Sequence, residues 1–234
     1  MDAAAEAIDN TSGGDLHTSD WINSWNSGYI PFHKSTPNAD LVKHENLLLP
    51  KASSVFLPLC GKSVDIKYLS DKGHKVVGLE VSEKGILEFF KDNELSYSRK
   101  THSTLHFDVF QADGADITIY MGDMFEATSQ LLGTFDAIWD RGSYVAINVN
   151  DRTKYRGIMA TLLKPEGIWL LNCFEYDQSK YRGTPHSIKE VEIMQTFGDL
   201  FKVEKLSYYS ADASKLPQGI DEALTVNYSI QLRN

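Results

Sequence analysis

Residues 54–82 read SVFLPLCGKSVDIKYLSDKGHKVVGLEVS. The pattern predicts a buried strand, a tight turn that contains Gly61, a short helix, and a second strand that ends at Glu80. Glu80 follows Gly61 by 19 residues, which is about the spacing at which such an acid meets a ribose diol in nucleotide-binding folds. A loop that cradles phosphates carries two or three glycines, whereas this turn carries one glycine and a proline. We therefore expect a nucleoside ligand without a pyrophosphate.

Three ligand classes compete for this turn. A P-loop is suggested by Gly-Lys-Ser at 61–63, but it also requires glycine at position 56, where the chain has Phe56. A dinucleotide site requires Gly-x-Gly-x-x-Gly, and the bulky Pro58 and Leu59 would keep the backbone away from a pyrophosphate. S-adenosylmethionine has no phosphate, and the hydroxyls of its ribose could donate to Glu80. The third class fits the turn best.

The rest of the chain alternates strand patterns with helix patterns, which indicates an α/β fold with a doubly wound, mostly parallel sheet. The last two strands are joined by about 15 residues without helical periodicity, so we expect the last strand to be antiparallel. Seven strands with this ending are typical of the class I methyltransferase fold. The predicted strands are 54–57, 75–79, 117–121, 135–139, 168–174, 201–208 and 224–231.

Composition limits the classes of function. The 234 residues are 42% hydrophobic and 24% charged, as in an ordinary globular protein, and the net charge of −9 argues against a nucleic-acid partner. We expect a flexible tail at 1–17 and a single domain at 18–234. The apolar runs are too short to span a bilayer. The two cysteines, Cys60 and Cys173, form no disulfide framework, so we expect a cytoplasmic protein.

Two further clusters follow predicted strands. Gly122-Asp123-Met124 comes after the third strand, and Asp123 could contact an adenine amino group. Asp140-Arg141 comes after the fourth strand. Both clusters therefore lie at the carboxyl edge of the sheet, where ligands of such sheets bind. Asp140 could orient Arg141 or act as a weak base. Alternatively, Asp123 caps a helix and Asp140-Arg141 is a local ion pair.

Three aromatic residues precede the first strand. Trp21 and Trp25 lie four residues apart on one face of a predicted helix, and Phe32 follows in a loop. Their rings could stabilise a sulfonium cation or exclude water from it. Equally, both tryptophans could staple the helix to the sheet.

Several motifs resemble those of the thiopurine S-methyltransferase family. They are residues 55–80, WINSWNSGYIPFH at 21–33, FDAIWDRGS at 135–143 and YVAINVNDR at 144–152, and the likeness covers roughly 20–232. The resemblance implies that Trp21 and Trp25 close over the methyl donor and that Phe32 lies beside substrate and cofactor. It places Leu59 and Gly61 under the methionine moiety, Glu80 on the ribose, Asp123 and Met124 beside the adenine, and Arg141 near the methionine carboxylate and the substrate.

The chain departs from the family at 183–186 and 212–218. In the second segment Lys215 could replace a family arginine that borders the substrate, and Gln218 stands in the place of a tryptophan. The resemblance implies methyl transfer from S-adenosylmethionine to a small aromatic or heterocyclic thiol, releasing S-adenosylhomocysteine, in xenobiotic detoxification. Alternative acceptors are selenium or tellurium species, sulfide, halide or a hydroxylated heterocycle, and a non-catalytic binding domain is a third hypothesis. We expect a monomer without a metal.

Overall fold

The computed structural model describes residues 14–101, 106–212, 217 and 219–233. Within these ranges the helices are α1 (Thr18–Ser27), α2 (Ala39–Leu48), α3 (Val64–Asp71), α4 (Glu83–Asp92), α5 (Ser129–Leu132), α6 (Arg152–Leu162) and α7 (Glu190–Phe197). The strands are β1 (Ser54–Leu57), β2 (Lys75–Glu80), β3 (Tyr97–Thr101), β4 (Asp108–Ala112), β5 (Ile117–Met121), β6 (Phe135–Arg141), β7 (Leu163–Tyr176), β8 (Phe201–Ser210) and β9 (Ala223–Leu232).

These strands form one sheet in the order β3-β4-β5-β2-β1-β6-β7-β9-β8. The pairs among β5, β2, β1, β6 and β7 are parallel, while β9 runs antiparallel to both β7 and β8. The predicted doubly wound sheet with an antiparallel last strand is therefore confirmed. The count of seven is corrected to nine within the described ranges, because β4 and β3 extend the sheet beyond β5.

Each face of the sheet is covered by helices that bury an apolar stripe. On one face α4 contributes Ile86, Phe89 and Phe90, whose i, i+3, i+4 spacing places them on a single side of the helix. On the other face α6 contributes Tyr155 and Met159 at the same kind of spacing. Two cores result, one with α2, α3 and α4 and one with α5, α6 and α7.

Two sequence expectations need correction. Leu16 and His17, predicted to lie in a flexible tail, belong to the folded part, because Leu16 pairs with the side chain of Asn148 and the His17 N–H donates to Asp20. The strand predicted at 168–174 is longer than expected, because β7 begins at Leu163 and its register to β6 jumps from Leu163 to Ile168.

Candidate active site

The carboxyl ends of β1 and β6 lie side by side at the point where the chain reverses its direction of winding. The chain builds outward from β1 through β2 to β5 and then returns to β6 on the other side of β1. In open α/β sheets the loops part at such a switch point and leave a ligand crevice. The turns after β1, β2, β5 and β6 therefore surround one crevice.

The Glu80 carboxylate is fixed on both of its oxygens. Oε2 accepts from the backbone N–H of Gly61 at 2.8 Å, and Oε1 accepts from that of Ser82 at 2.8 Å. Burial raises the pKa of Glu80, and these backbone hydrogen bonds oppose the rise because they favour the ionised form. Each carboxylate oxygen can accept a second hydrogen bond. Glu80 is thus an oriented acceptor at the end of β2.

The turn after β1 has an unusual backbone. Leu59 has φ +43° and Gly61 has φ +50°, and a left-handed conformation is rare for a leucine. The N–H of Cys60 donates to the carbonyl of Leu79 at 2.9 Å, which ties the turn to β2. Such strain is concentrated at ligand sites and is held by its surroundings. The turn is therefore a rigid floor for the crevice beside Glu80.

Trp25 is packed against the backbone of this turn. A Cβ on Gly61, which has φ +50°, would come within 2.7 Å of its indole ring, and one on Gly85 within 3.1 Å, so Gly61 requires glycine and Gly85 leaves room for little more. Trp25 is only 3% exposed. The structure therefore gives Trp25 the stapling role that the sequence left open, and a direct ligand contact is not needed to explain it.

Trp21 and Phe32 are less buried and complete the aromatic cap. The Phe32 ring meets Trp25 edge to face at 5.7 Å and Trp21 at 6.1 Å. This geometry uses the positive ring edge of one partner and the negative face of the other. Helix α1 and the loop after it thus bring three rings together.

Arg141 is the last residue of β6 and reaches the same cap. Its Nη1 donates to the carbonyl of Phe32 at 2.9 Å. Burial lowers the pKa of Arg141, and the nearby Asp65 opposes this shift. Asp65, which the sequence reasoning missed, accepts from the Trp139 indole at 2.8 Å and from the Asn38 N–H at 2.8 Å. It supports the face of the sheet on which Arg141 lies.

Asp140 lies on the opposite face of the sheet from Arg141, because neighbouring residues of a strand alternate. It is fully buried, and it accepts from the Tyr144 N–H at 2.9 Å and from the Tyr155 hydroxyl at 2.7 Å. Burial raises the pKa of Asp140 to about 6. The predicted catalytic role, as orienter of Arg141 or as weak base, is corrected: the carboxylate fixes the turn after β6 from the core side.

Asp123 and Met124 lie just beyond β5. The Asp123 carboxylate accepts from the Phe125 N–H at 2.8 Å and caps a short 3₁₀ helix, while Thr18 of α1 approaches its other oxygen at 3.5 Å. Met124 is 2% exposed and packs in the core, so its side chain is not directed into the crevice. Lys215 and Gln218 lie outside the described residues.

S-adenosylmethionine, the ligand that the sequence predicts, fits the residues around this crevice. Glu80 is a pure acceptor suited to two ribose hydroxyls, and Arg141 is a cation suited to the carboxylate of a methionine moiety. One strand, β1, separates them, so they stand about 10 Å apart at about 4.8 Å per strand. The Phe32 carbonyl accepts from Arg141, and the Phe32 ring contacts that of Trp21, so both rings lie near the cation. An acceptor at one end and a cation at the other match a zwitterionic nucleoside such as S-adenosylmethionine.

Comparison with known proteins gives consistent results. Residues 16–231 match the profile of the family described as thiopurine S-methyltransferase (TPMT). Thiopurine S-methyltransferase of Bos taurus is 36% identical over 194 residues, which is 82% of this chain and 79% of that protein. The probable thiopurine S-methyltransferase of Danio rerio is 37% identical, with 82% of this chain and 84% of that protein covered.

Solved structures of other methyltransferases share the fold. A 1,6-didemethyltoxoflavin-N1-methyltransferase of Burkholderia thailandensis, solved with bound 1,6-didemethyltoxoflavin and S-adenosylhomocysteine, superposes with a TM-score of 0.62 at 16% identity, covering 92% of this chain and 87% of that chain. A SAM-dependent methyltransferase of Anabaena variabilis gives a TM-score of 0.62 at 21% identity, covering 94% and 96%. At these identities the likeness concerns the fold, which is that of class I methyltransferases.

Proposed function

Because the chain belongs to the thiopurine S-methyltransferase family, we propose that it methylates the sulfur of small aromatic or heterocyclic thiols, with S-adenosylmethionine as the methyl donor and S-adenosylhomocysteine as the product. The site assignment depends on one observation, which is that Glu80 and Arg141 lie at the same edge of the sheet. Glu80 is buried and Arg141 is half-buried at the carboxyl edge, both are held by backbone partners, and one strand separates them.

In this proposal the residues of the chain bind, orient and shield. Glu80 accepts from the ribose, with its own geometry fixed by the N–H groups of Gly61 and Ser82. Arg141 binds the carboxylate of the methionine moiety and adds positive potential for an anionic acceptor. The Trp21 and Phe32 rings exclude water and face the cationic sulfur without competing for the methyl group. When bound, the cofactor supplies an activated methyl group on a sulfonium.

The acceptor needs little proton chemistry from the protein. A heteroaryl thiol is largely thiolate near neutral pH, so no strong general base is required. The thiolate has to lie in line with the bond that breaks, about 3 Å from the methyl carbon. Asp140 is buried in the core and accepts hydrogen bonds from Tyr144 and Tyr155, so it does not provide a carboxylate base in the crevice. This is compatible with a reaction that needs no such base.

Calorimetry with S-adenosylhomocysteine tests the cofactor site. Wild type is expected to bind one molecule per chain, and Glu80→Gln is expected to bind about 10- to 100-fold more weakly, since hydrogen bonds to a charged group are worth about 1.5–3 kcal/mol. Glu166→Gln is the matched control, because Glu166 is exposed and precedes the parallel stretch of β7, at the opposite edge of the sheet. Absence of binding by wild type would end the proposal.

A panel of acceptors with labelled methyl donor tests the substrate class. Thiopurines and other heteroaryl thiols should give the highest kcat/KM, with Arg141→Lys lowering the rate for anionic acceptors most. A preference for selenium or tellurium species, sulfide, halide or hydroxylated heterocycles would move the acceptor but keep the cofactor site. Methyl transfer to none of them would favour a non-catalytic domain.

The proposal includes the setting of the reaction. We propose a cytoplasmic monomer that acts on foreign thiols without a nucleic-acid partner. Cys60 and Cys173 are both buried and unpaired, which is compatible with a reducing compartment, and the chain has a net charge of −9. No helix among the described residues is long and apolar enough to cross a membrane. Fractionation of cells and light scattering of the purified protein test location and assembly.

A further inference from the structure

Both ends of the N-terminal segment 16–32 are hydrogen-bonded to the stretch of chain that runs from the end of β6 to the start of α6. At its start Leu16 is bound by Asn148, and at its end the carbonyl of Phe32 accepts from Arg141. Arg141 is the last residue of β6, and Asn148 lies in the connection between β6 and α6. We call residues 16–32 the strap. It begins at this connection, crosses to the opposite side of the crevice and returns.

The far side of the strap rests on the turns after β1 and β2. Trp25 packs on Gly61 and Gly85, and the Lys84 ammonium donates to the carbonyl of Asn26 at 3.2 Å. On the way, Thr18 approaches Asp123, which follows β5. The strap therefore contacts Gly61 after β1, the start of α4 after β2, Asp123 after β5 and Asn148 after β6.

The Asn148 side chain makes two hydrogen bonds to the backbone of Leu16, in the arrangement that a neighbouring strand would use. The Leu16 N–H donates to Asn148 Oδ1 at 3.0 Å, and Asn148 Nδ2 donates to the Leu16 carbonyl at 2.9 Å. The same Nδ2 lies 3.3 Å from Asp151 Oδ2, which holds the amide in this orientation. An asparagine is well suited here, because its side chain offers one acceptor and one donor side by side.

The apolar contact of the strap with the domain is concentrated in one side chain. In α1 only Ser24 and Trp25 are buried, so the apolar surface that holds the helix down is mainly that of Trp25. Gly28 ends α1 with φ +79°, it has no neighbouring atom within 4 Å of a Cβ position, and Gly14 before the strap is equally open.

On the basis of the function proposed above, we propose that Asn148 is a positioning residue that keeps the strap closed over the bound cofactor and thereby sets how fast S-adenosylhomocysteine leaves. Arg141 fastens the other end, but it also faces the ligand, so its substitution cannot separate binding from closure. Among the described residues, the Asn148 side chain hydrogen-bonds the backbone of Leu16 and the carboxylate of Asp151, and Asn148 is not one of the residues assigned to the ligand. Product release limits turnover in many enzymes with such covers.

The experiment is a stopped-flow measurement of S-adenosylhomocysteine exchange, followed through the tryptophan fluorescence of the full-length protein. Asn148→Ala is expected to raise the dissociation rate about tenfold, the size of one or two net hydrogen bonds, and the association rate should rise as well. Asn150→Ala is the control, since Asn150 is an exposed asparagine two residues away. Its exchange rates should equal those of wild type.

A second variant disrupts the same contact from the other side. Leu16→Pro removes the N–H that donates to Asn148, and it should raise the dissociation rate similarly. If both act by opening this fastening, the double variant should be no faster than the faster single one. Hydrogen exchange of the α1 amides should rise in both single variants, while the unfolding temperature of the rest of the domain stays near that of wild type.

The outcomes separate two kinds of failure. If wild type does not bind S-adenosylhomocysteine, the proposed function fails. If wild type binds it but Asn148→Ala and Leu16→Pro leave its dissociation rate within twofold of wild type, the role of Asn148 is refuted. Additive effects in the double variant would likewise overturn it, because they would show two independent contacts.

Discussion

Asp140 is a carboxyl group with no exposed surface, and Asp140→Asn removes its charge at nearly constant shape. Burial raises the pKa of this group in the folded protein from 3.8 to about 6. The hydrogen bonds from Tyr144 and Tyr155 limit the rise but do not abolish it, because they replace only part of the hydration that the ionised carboxylate loses. The folded state therefore holds a proton that the unfolded state releases.

The sign of the effect follows from this difference in proton binding. Between 3.8 and about 6 the folded state binds more protons than the unfolded state, so the contribution of Asp140 to the free energy of unfolding falls as pH rises. The difference between the two pKa values corresponds to a decrease of about 3 kcal/mol in the free energy of unfolding. The decrease is complete at pH values above the folded-state pKa. The asparagine side chain that replaces Asp140 in the variant does not titrate. The variant should thus become more stable relative to wild type as pH rises through this range.

Urea unfolding of both proteins, followed by circular dichroism and tryptophan fluorescence across the range from below 3.8 to well above 6, tests this prediction. The quantity of interest is the difference between the two free energies of unfolding at each pH, because the other carboxyl groups cancel in it. A constant offset from the altered hydrogen bonds is expected, and the slope is the signal. A difference that stays flat with pH would refute the assignment of a raised pKa to Asp140.

Three further predictions concern stability. Trp25→Ala should lower the free energy of unfolding by about 3 kcal/mol, because it empties the space over Gly61 and Gly85. Trp21→Ala should lower it clearly less. Equal decreases of the two variants in urea unfolding would contradict the stapling role of Trp25. Burial alone would raise the pKa of Asp136, but hydrogen bonds from Lys164 and Ser54 outweigh it and lower the pKa to about 2. This stabilisation is full above 3.8 and is lost as pH falls through about 2, so Asp136→Asn should cost about 1 kcal/mol near neutral pH, after allowance for solvent screening, and nothing in strong acid. Ser143→Ala, which removes a buried hydrogen bond of 2.7 Å to the Pro58 carbonyl, should cost about 1–3 kcal/mol in the same assay, and an unchanged midpoint would show that this bond does not hold the turn after β6.

The central sheet was predictable because its strands are short apolar runs separated by helix signals. The strand β3 was not, since all five of its residues are exposed and carry no alternation of apolar and polar side chains. Its stability comes from pairing with β4 and from Arg99, which contacts Asp108 across the strand pair. Such pairing is a long-range property, and a local pattern does not contain it.

The site was predictable to the level of which residue ends which strand. Glu80 and Arg141 were placed at the ends of β2 and β6 in this way, because a charged residue at the end of a buried strand is conspicuous, and their contacts with a ligand stay predictions. The sequence could place Trp21 and Trp25 on one helix face, but it could not show that only Trp25 meets Gly61. The Leu16–Asn148 contact spans 132 positions and starts in a segment whose composition resembles a tail, so no local signal marked it.

Asp140 and Arg141 are neighbours in sequence with opposite charges, and the natural expectation is that they form a pair. Because neighbouring side chains of β6 point to opposite faces of the sheet, the two residues do not form a pair, and each has a separate role. Asp140 holds the Tyr144 N–H from the core side, and the Ser143 hydroxyl holds the carbonyl of Pro58 beside β1. Gly142, with φ +80° and no atom within 4 Å of a Cβ position, lets the chain turn between them without crowding the crevice. The stretch 140–144 therefore acts as one rigid support for Arg141, and a full positive charge stays available to a ligand because its acidic neighbour is committed to the other face.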